Sequence, residues 1–100
     1  MKEYLDKKID IWMTDRGIAD NGKPMGQAIK TLEETTELID ALNRNDIADV
    51  KDAIGDIYIT LRGVCMTADI FLDECIALAY EEIKDRKGYL REDGVFVKEG

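Results

Sequence analysis

The chain has no histidine, one proline, one tryptophan and two cysteines, and its 14 lysines and arginines are outnumbered by 22 acidic residues. Each shortage excludes something. Without histidine there is no Glu-x-x-His di-iron cluster, and a cluster built from carboxylates alone does not suit zinc or copper. A formal charge of −8 is the wrong sign for binding a nucleic-acid polymer, which needs clustered Lys and Arg to displace counterions. Cys65 and Cys75 form neither a CxxC pair nor a disulfide framework, so they read as reduced core residues and favour the cytoplasm. The opening MKEYLDKKIDIW alternates charge with apolar residues. No stretch approaches the roughly 20 apolar residues that span a bilayer, so neither a secretion signal nor a membrane segment is expected. The loops around Asp15–Gly22 and Asn43–Asp49 lack the alternating oxygen ligands and central glycine of an EF-hand.

What is present describes a folded, helix-rich protein: 45% apolar and 36% charged residues in 100. That length suits one domain, residues 1–100, with 88–100 as a tail. A chain this short leaves much surface exposed, which makes a homodimer or homotetramer plausible. Periodicity predicts four helices. The first runs from about Lys2 to Asp15, with Leu5, Ile9, Trp12 and Met13 on one side. Arg16–Pro24, rich in turn formers, is expected as a loop. The second helix spans about Met25–Asn43, with Met25, Ala28, Ile29, Leu32, Thr36 and Ile39 as its apolar stripe. Asp46 is a good N-cap for a third helix, Ile47 to about Asp69, whose stripe is Ile47, Val50, Ile54, Ile57, Tyr58, Leu61, Cys65 and Ala68. A fourth helix is expected over Phe71–Lys87, stopped by Gly88. A turn at Asp93-Gly94 and a short extended piece, Val95–Val97, follow. The fold class is therefore all-α, a four-helix-type bundle with largely antiparallel neighbours, oligomeric, with a short extended C-terminal tail.

On the second helix Gln27, Lys30, Glu34 and Glu37 share a face opposite the apolar stripe; on the third, Asp52 and Asp56 are stacked one turn apart. An isolated ExxE is ordinarily a solvated face. The third helix alters that reading, because from Ile57 to Ala68 it is apolar nearly all round with Arg62 as the lone charge. Asp56 then sits at the edge of a packed interface, where an unpaired carboxylate is costly unless it meets a cation. Gly55 and Gly63 suggest close approach of another helix. Converging carboxylates without histidine suit a hard cation, Mg²⁺ or Mn²⁺, which completes its shell with water and phosphate oxygens. The ligand expected is a polyphosphate.

These residues resemble the MazG-like family of all-α nucleotide pyrophosphohydrolases. The resemblance rests on Gln27-x-x-Lys30-x-Leu32-Glu33-Glu34-x-x-Glu37-Leu38 and on Asp52-Ala-Ile-Gly55-Asp56 opening a long apolar helix. It continues in Glu82-Ile-Lys84-Asp-Arg86-Lys87-Gly88 and Gly94-Val-Phe-Val-Lys98, which resemble the compact, phage-type branch. The resemblance implies cleavage of an NTP or dNTP to the monophosphate and pyrophosphate with Mg²⁺. It assigns Glu34 and Glu37 to the family's ExxE, and Asp56 to the last position of its ExxD, as catalytic and metal-binding groups. Where ExxD has its Glu, this chain has Ala53; Asp52 faces the same way as Asp56 and is taken as the fourth ligand, with Glu33 as the alternative.

Around that core, Gln27, Lys30, Glu33, Lys84, Arg86, Lys87 and Trp12 are candidate substrate contacts. Most of them have a plainer explanation. Lys30 would equally pair with Glu34 one turn on, the cations ending the fourth helix suit its dipole, and a lone Trp on an amphipathic helix is more often core. Tyr58 reads as structural. Two rivals stand beside the enzyme: a non-catalytic acidic helical interaction module, and the same fold acting on a dNDP or an alarmone.

Overall fold

The computed structural model describes residues 1–99. The chain divides into two compact units, Met1–Ile70 and the segment from Phe71 onward. The first unit holds α1 (Lys2–Asp15), α2 (Ile18–Asn21), α3 (Pro24–Asn43) and α4 (Ile47–Ala68).

Local chemistry sets the α3–α4 hairpin. Pro24 opens α3 at a position where its missing N–H is not needed. Asn45 ends it in the left-handed region at φ 56°, with the N–H of Asp46 donating to Ala41 O (3.0 Å) and that of Asn45 to Leu42 O (3.1 Å). This is a Schellman closure with asparagine in place of the usual glycine. Asp46 then caps α4 as expected, accepting from the Asp49 N–H at 3.1 Å.

The two helices pack antiparallel through small and polar side chains, a departure from the expected stripes. Ala41, Ala53, Thr60 and Gly63 are buried between them, the Thr31 hydroxyl donates to Thr60 Oγ1 at 2.8 Å, and a Cβ on Gly63 would collide with the Gln27 amide. Small residues let the backbones approach closely, and the hydroxyls satisfy one another. The predicted stripe of α3 points away: Met25, Ile29, Leu32 and Ile39 are 52 to 71% exposed. On α4, Ile47, Ile54 and Leu61 are likewise exposed, while Val50, Ile57, Tyr58, Cys65 and Ala68 are half-buried. Gly55 has open space where a Cβ would be, so the expected close approach holds for Gly63 and not for Gly55 within the described residues.

α1 lies alongside α4 and runs in the same direction. Tyr58 donates to Asp6 Oδ1 at 2.7 Å, and Arg62 grips Asp10 with both Nη2 contacts, at 2.8 and 2.7 Å. Burial opposes the Arg62 charge, but Asp10, Tyr58 and Asp6 outweigh it and raise its pKa. The lone charge of the apolar stretch is thus the α1 anchor. Met13 is the fully buried side chain of α1. The expected loop after α1 contains a one-turn helix, α2, entered through Gly17 at φ 80°. A Cβ on Gly22 would collide with the Ile18 carbonyl oxygen and stand 3.1 Å from the Thr67 methyl, which explains a glycine where this turn meets α4.

In the second unit, α5 covers Leu72–Ile83, ending four residues short of the expected Lys87. Gly88 begins a strand rather than only stopping a helix: β1 (Gly88–Leu90) pairs antiparallel with β2 (Phe96–Lys98), with Tyr89 opposite Val97. The predicted turn is present, with Gly94 at φ 86° and the Val95 N–H donating to Asp93 Oδ1 at 3.2 Å. Among the described residues no helix is long and apolar enough to cross a membrane.

Candidate active site

The α3–α4 register set by Thr31–Thr60 and Gln27–Gly63 brings Glu34 level with Asp56 and Glu37 level with Asp52 and Ala53. Glu34 and Asp56 are half-buried; Glu37 and Asp52 are exposed. Glu34 Oε2 is buried and has no hydrogen-bond partner. Glu37 stands beside it, and two ionised carboxylates cannot hydrogen-bond, so only a shared proton or a cation relieves the pair. Accordingly the Glu34 carboxyl is pushed up, first by Glu37, then by burial and by Asp56, against a smaller pull from Lys30. Asp56 is pushed up by burial, then by Asp52 and Glu37, again opposed by Lys30. The expected meeting of two acidic faces is therefore present as a field of mutual repulsion.

The carboxylates do not close into a cage: among the described residues, no group of three or more acidic or sulfur side chains stands ready to hold an ion. An open arrangement still fits Mg²⁺, which needs one or two carboxylates and takes the rest of its shell from water and phosphate. The unpartnered Glu34 oxygen is the local sign of that fit.

Glu34 and Asp56 lie on the wall of a cavity of about 600 Å³. Leu5, Ile9, Trp12, Met13, Ile18 and Ile59 make its apolar part, and Lys8, Gln27, Lys30 and Thr60 its other polar groups. Glu37 and Asp52 instead border a polar cleft of about 220 Å³ with Asp40, Arg44, Asp49 and Ala53. There Arg44 bridges Asp40 (3.0 Å), Asp46 (3.2 Å) and Asp49 (3.1 Å). The carboxylates stand between an apolar chamber and an acidic one.

Of the candidate contacts, Trp12, Gln27 and Lys30 line the large cavity with Glu34 and Asp56. Trp12 is not core: it is 46% exposed, backed by the Arg16 guanidinium 4.4 Å from its ring centroid. Lys30 pairs with Glu33 at 3.2 Å, not with Glu34. That contact occupies Glu33, whereas Asp52 stands with Asp56. Lys84, Arg86 and Lys87 belong to the second unit, where Lys84 pairs with Glu81 at 2.8 Å. Sequence reasoning missed Lys8, Ile18, Ile59 and Thr60. The usable signal was α1: Leu5, Ile9 and Trp12 form a stripe, and Lys8 flanks it one turn from Trp12.

Residues 12–86 match the model of the phosphoribosyl-ATP pyrophosphohydrolase family. An uncharacterized 18.2 kDa protein from the rep-hol intergenic region of Haemophilus phage HP1 (strain HP1c1) is 34% identical over 59 residues, 59% of this chain and 36% of that protein. The chain thus spans about a third of the length of this curated relative. No solved structure matches it. The family match runs from Trp12 through both carboxylate helices, and the chain belongs to the phosphoribosyl-ATP pyrophosphohydrolase family, within the MazG-like all-α pyrophosphohydrolase superfamily.

Proposed function

We propose that the chain is a Mg²⁺-dependent nucleoside triphosphate pyrophosphohydrolase of the compact, phage-type MazG-like kind, converting a (d)NTP and water to the (d)NMP and pyrophosphate. The observation that carries this reading is the buried, unpartnered Glu34 oxygen, beside Glu37 and across from Asp56, on the wall of a nucleotide-sized cavity. Glu34, Glu37, Asp56 and Asp52 would hold Mg²⁺, or Mn²⁺ in its place; the ion supplies charge neutralisation for the triphosphate and orientation of the attacking water.

The chain's own groups divide the remaining work. The apolar wall with Trp12 takes the nucleoside, Gln27 contacts its polar parts, Lys30 faces the phosphates beside Glu34 and Asp56, and one of Glu34, Glu37 or Asp56 accepts the water's proton as pyrophosphate leaves. Their raised carboxyl values at Glu34 and Asp56 bring them nearer neutral pH, as a general base requires. We further take the chain to act in the cytoplasm as a homodimer or homotetramer, with neither a nucleic-acid polymer nor a membrane as partner. The exposed apolar face of α3 supports self-association.

A second reading follows from the family's name: phosphoribosyl-ATP carries the same α–β anhydride bond, so the same carboxylates would serve. Release of pyrophosphate from dNTPs, NTPs, an alarmone and phosphoribosyl-ATP, and of orthophosphate from a dNDP, with and without Mg²⁺, separates these. Metal-dependent release lost in folded Glu37→Gln and Asp56→Asn variants is the expected result. No release from any substrate would replace the enzyme by an acidic interaction module.

A further inference from the structure

We infer that Lys8 is the group that receives the phosphate remaining with the nucleoside, a contact that rests on the nucleotide reading of the large cavity and sharpens it. Two cations line that cavity, Lys8 and Lys30. They are not equivalent. Lys30 is held by Glu33 at 3.2 Å. Lys8 has no carboxylate partner among the described residues; its ammonium lies 5.5 Å from the Tyr4 ring centroid, a contact that steadies the charge without neutralising it. An unpaired cation on the wall of a cavity whose other charged groups are mostly acidic asks for an anionic ligand.

The helix register says which part of the ligand. Asp6 is bonded to Tyr58 and Asp10 to Arg62, so the same four-residue step on α1 and α4 fixes them side by side. Lys8, midway between the anchors, falls level with Thr60. That is one turn beyond Asp56, where the scissile phosphate would meet the carboxylates. Trp12 stands one turn further along α1, and Gln27, packed against Gly63, lies at nearly the same height. A nucleotide laid along the cavity with its nucleoside toward Trp12 and its anhydride toward Glu34 and Asp56 therefore passes Lys8 at the 5′-phosphate. Lys8 would thus also hold the monophosphate product, with no metal ion between them.

The test is binding in the presence of a chelator. Deoxynucleoside 5′-monophosphates with each of the four bases, and the matching deoxynucleosides, are titrated into the full chain and followed by backbone amide shifts and calorimetry. For whichever base binds, the monophosphate should bind about tenfold or more tightly than its nucleoside, as expected for a charge-assisted contact. Lys8→Met should remove that difference while leaving nucleoside affinity within about twofold, and Lys8→Arg should retain it. Lys8 is exposed, so both variants should fold, which a thermal melt verifies. A phosphate advantage that survives in Lys8→Met overturns the assignment of Lys8 and leaves the nucleotide site standing. Absence of binding by both nucleoside and monophosphate to the parent overturns the site itself.

Discussion

At the scale of single residues, the acidic field between α3 and α4 governs stability as well as chemistry. Glu34 and Asp56 carry carboxyl values raised above the ordinary range. Their contribution to stability is complete below that range, near about pH 4, and is lost as pH rises through the raised values. Asp6 and Asp46 work oppositely: Tyr58 and Lys2 hold the first low, and the Asp49 N–H and Arg44 the second, so their contribution is lost as pH falls through the depressed values. Thermal melts in chelator from pH 4 to 8 should therefore show a loss above about pH 4.5 that is smaller in Glu34→Gln. An unchanged slope in that variant would mean the repulsion does not reach the folding equilibrium. In the same buffer at pH 7, Glu37→Gln should be more stable than the parent by about 0.5 to 1 kcal/mol, after allowance for screening. Added Mg²⁺ should stabilise the parent and not this variant.

At the scale of elements, the two glycines of α4 separate what this chain packs from what it leaves open. Gly63→Ala drives a methyl into the Gln27 amide and should cost about 1 to 3 kcal/mol. Gly55→Ala meets nothing and should stabilise the helix by up to about 1 kcal/mol. Denaturant unfolding of the pair measures both, and a destabilising Gly55→Ala would point to a partner surface closing on that position. Arg62→Met should loosen α1, because Asp10 and Asp6 lose the cation they face; a cost of about 1 to 3 kcal/mol is expected. Amide exchange should rise in Lys2–Asp15 and not in α3, and uniform protection across both would show that Met13 alone docks α1.

At the scale of the whole molecule, the outer face of α3 is the main unmet demand. Met25, Ile29, Leu32 and Ile39 form one stripe, each more than half exposed, and such a surface ordinarily marks an association site. Leu32→Glu should dissociate an oligomer without unfolding the chain, as read by sedimentation velocity and circular dichroism. A parent that already sediments as a monomer at high concentration would remove the proposal.

The positions of α1, α3 and α4, the Asp46 cap, the Asp93-Gly94 turn and the alignment of Glu34 with Glu37 and of Asp52 with Asp56 were legible in the sequence, because each depends on neighbours within a few residues. The direction in which each apolar stripe faces was not. Periodicity marks two faces of a helix and leaves open which of them another helix will cover, and here the threonines, alanines and Gly63 allowed the closer approach. Likewise Trp12 and Lys8 became cavity residues only when Arg62 fixed α1 against α4 across 52 residues of sequence. The residue types dictated the chemistry available, a set of carboxylates suited to a hard cation. Long-range packing decided which of them share a buried wall and what stands opposite, since that depends on contacts no local pattern encodes.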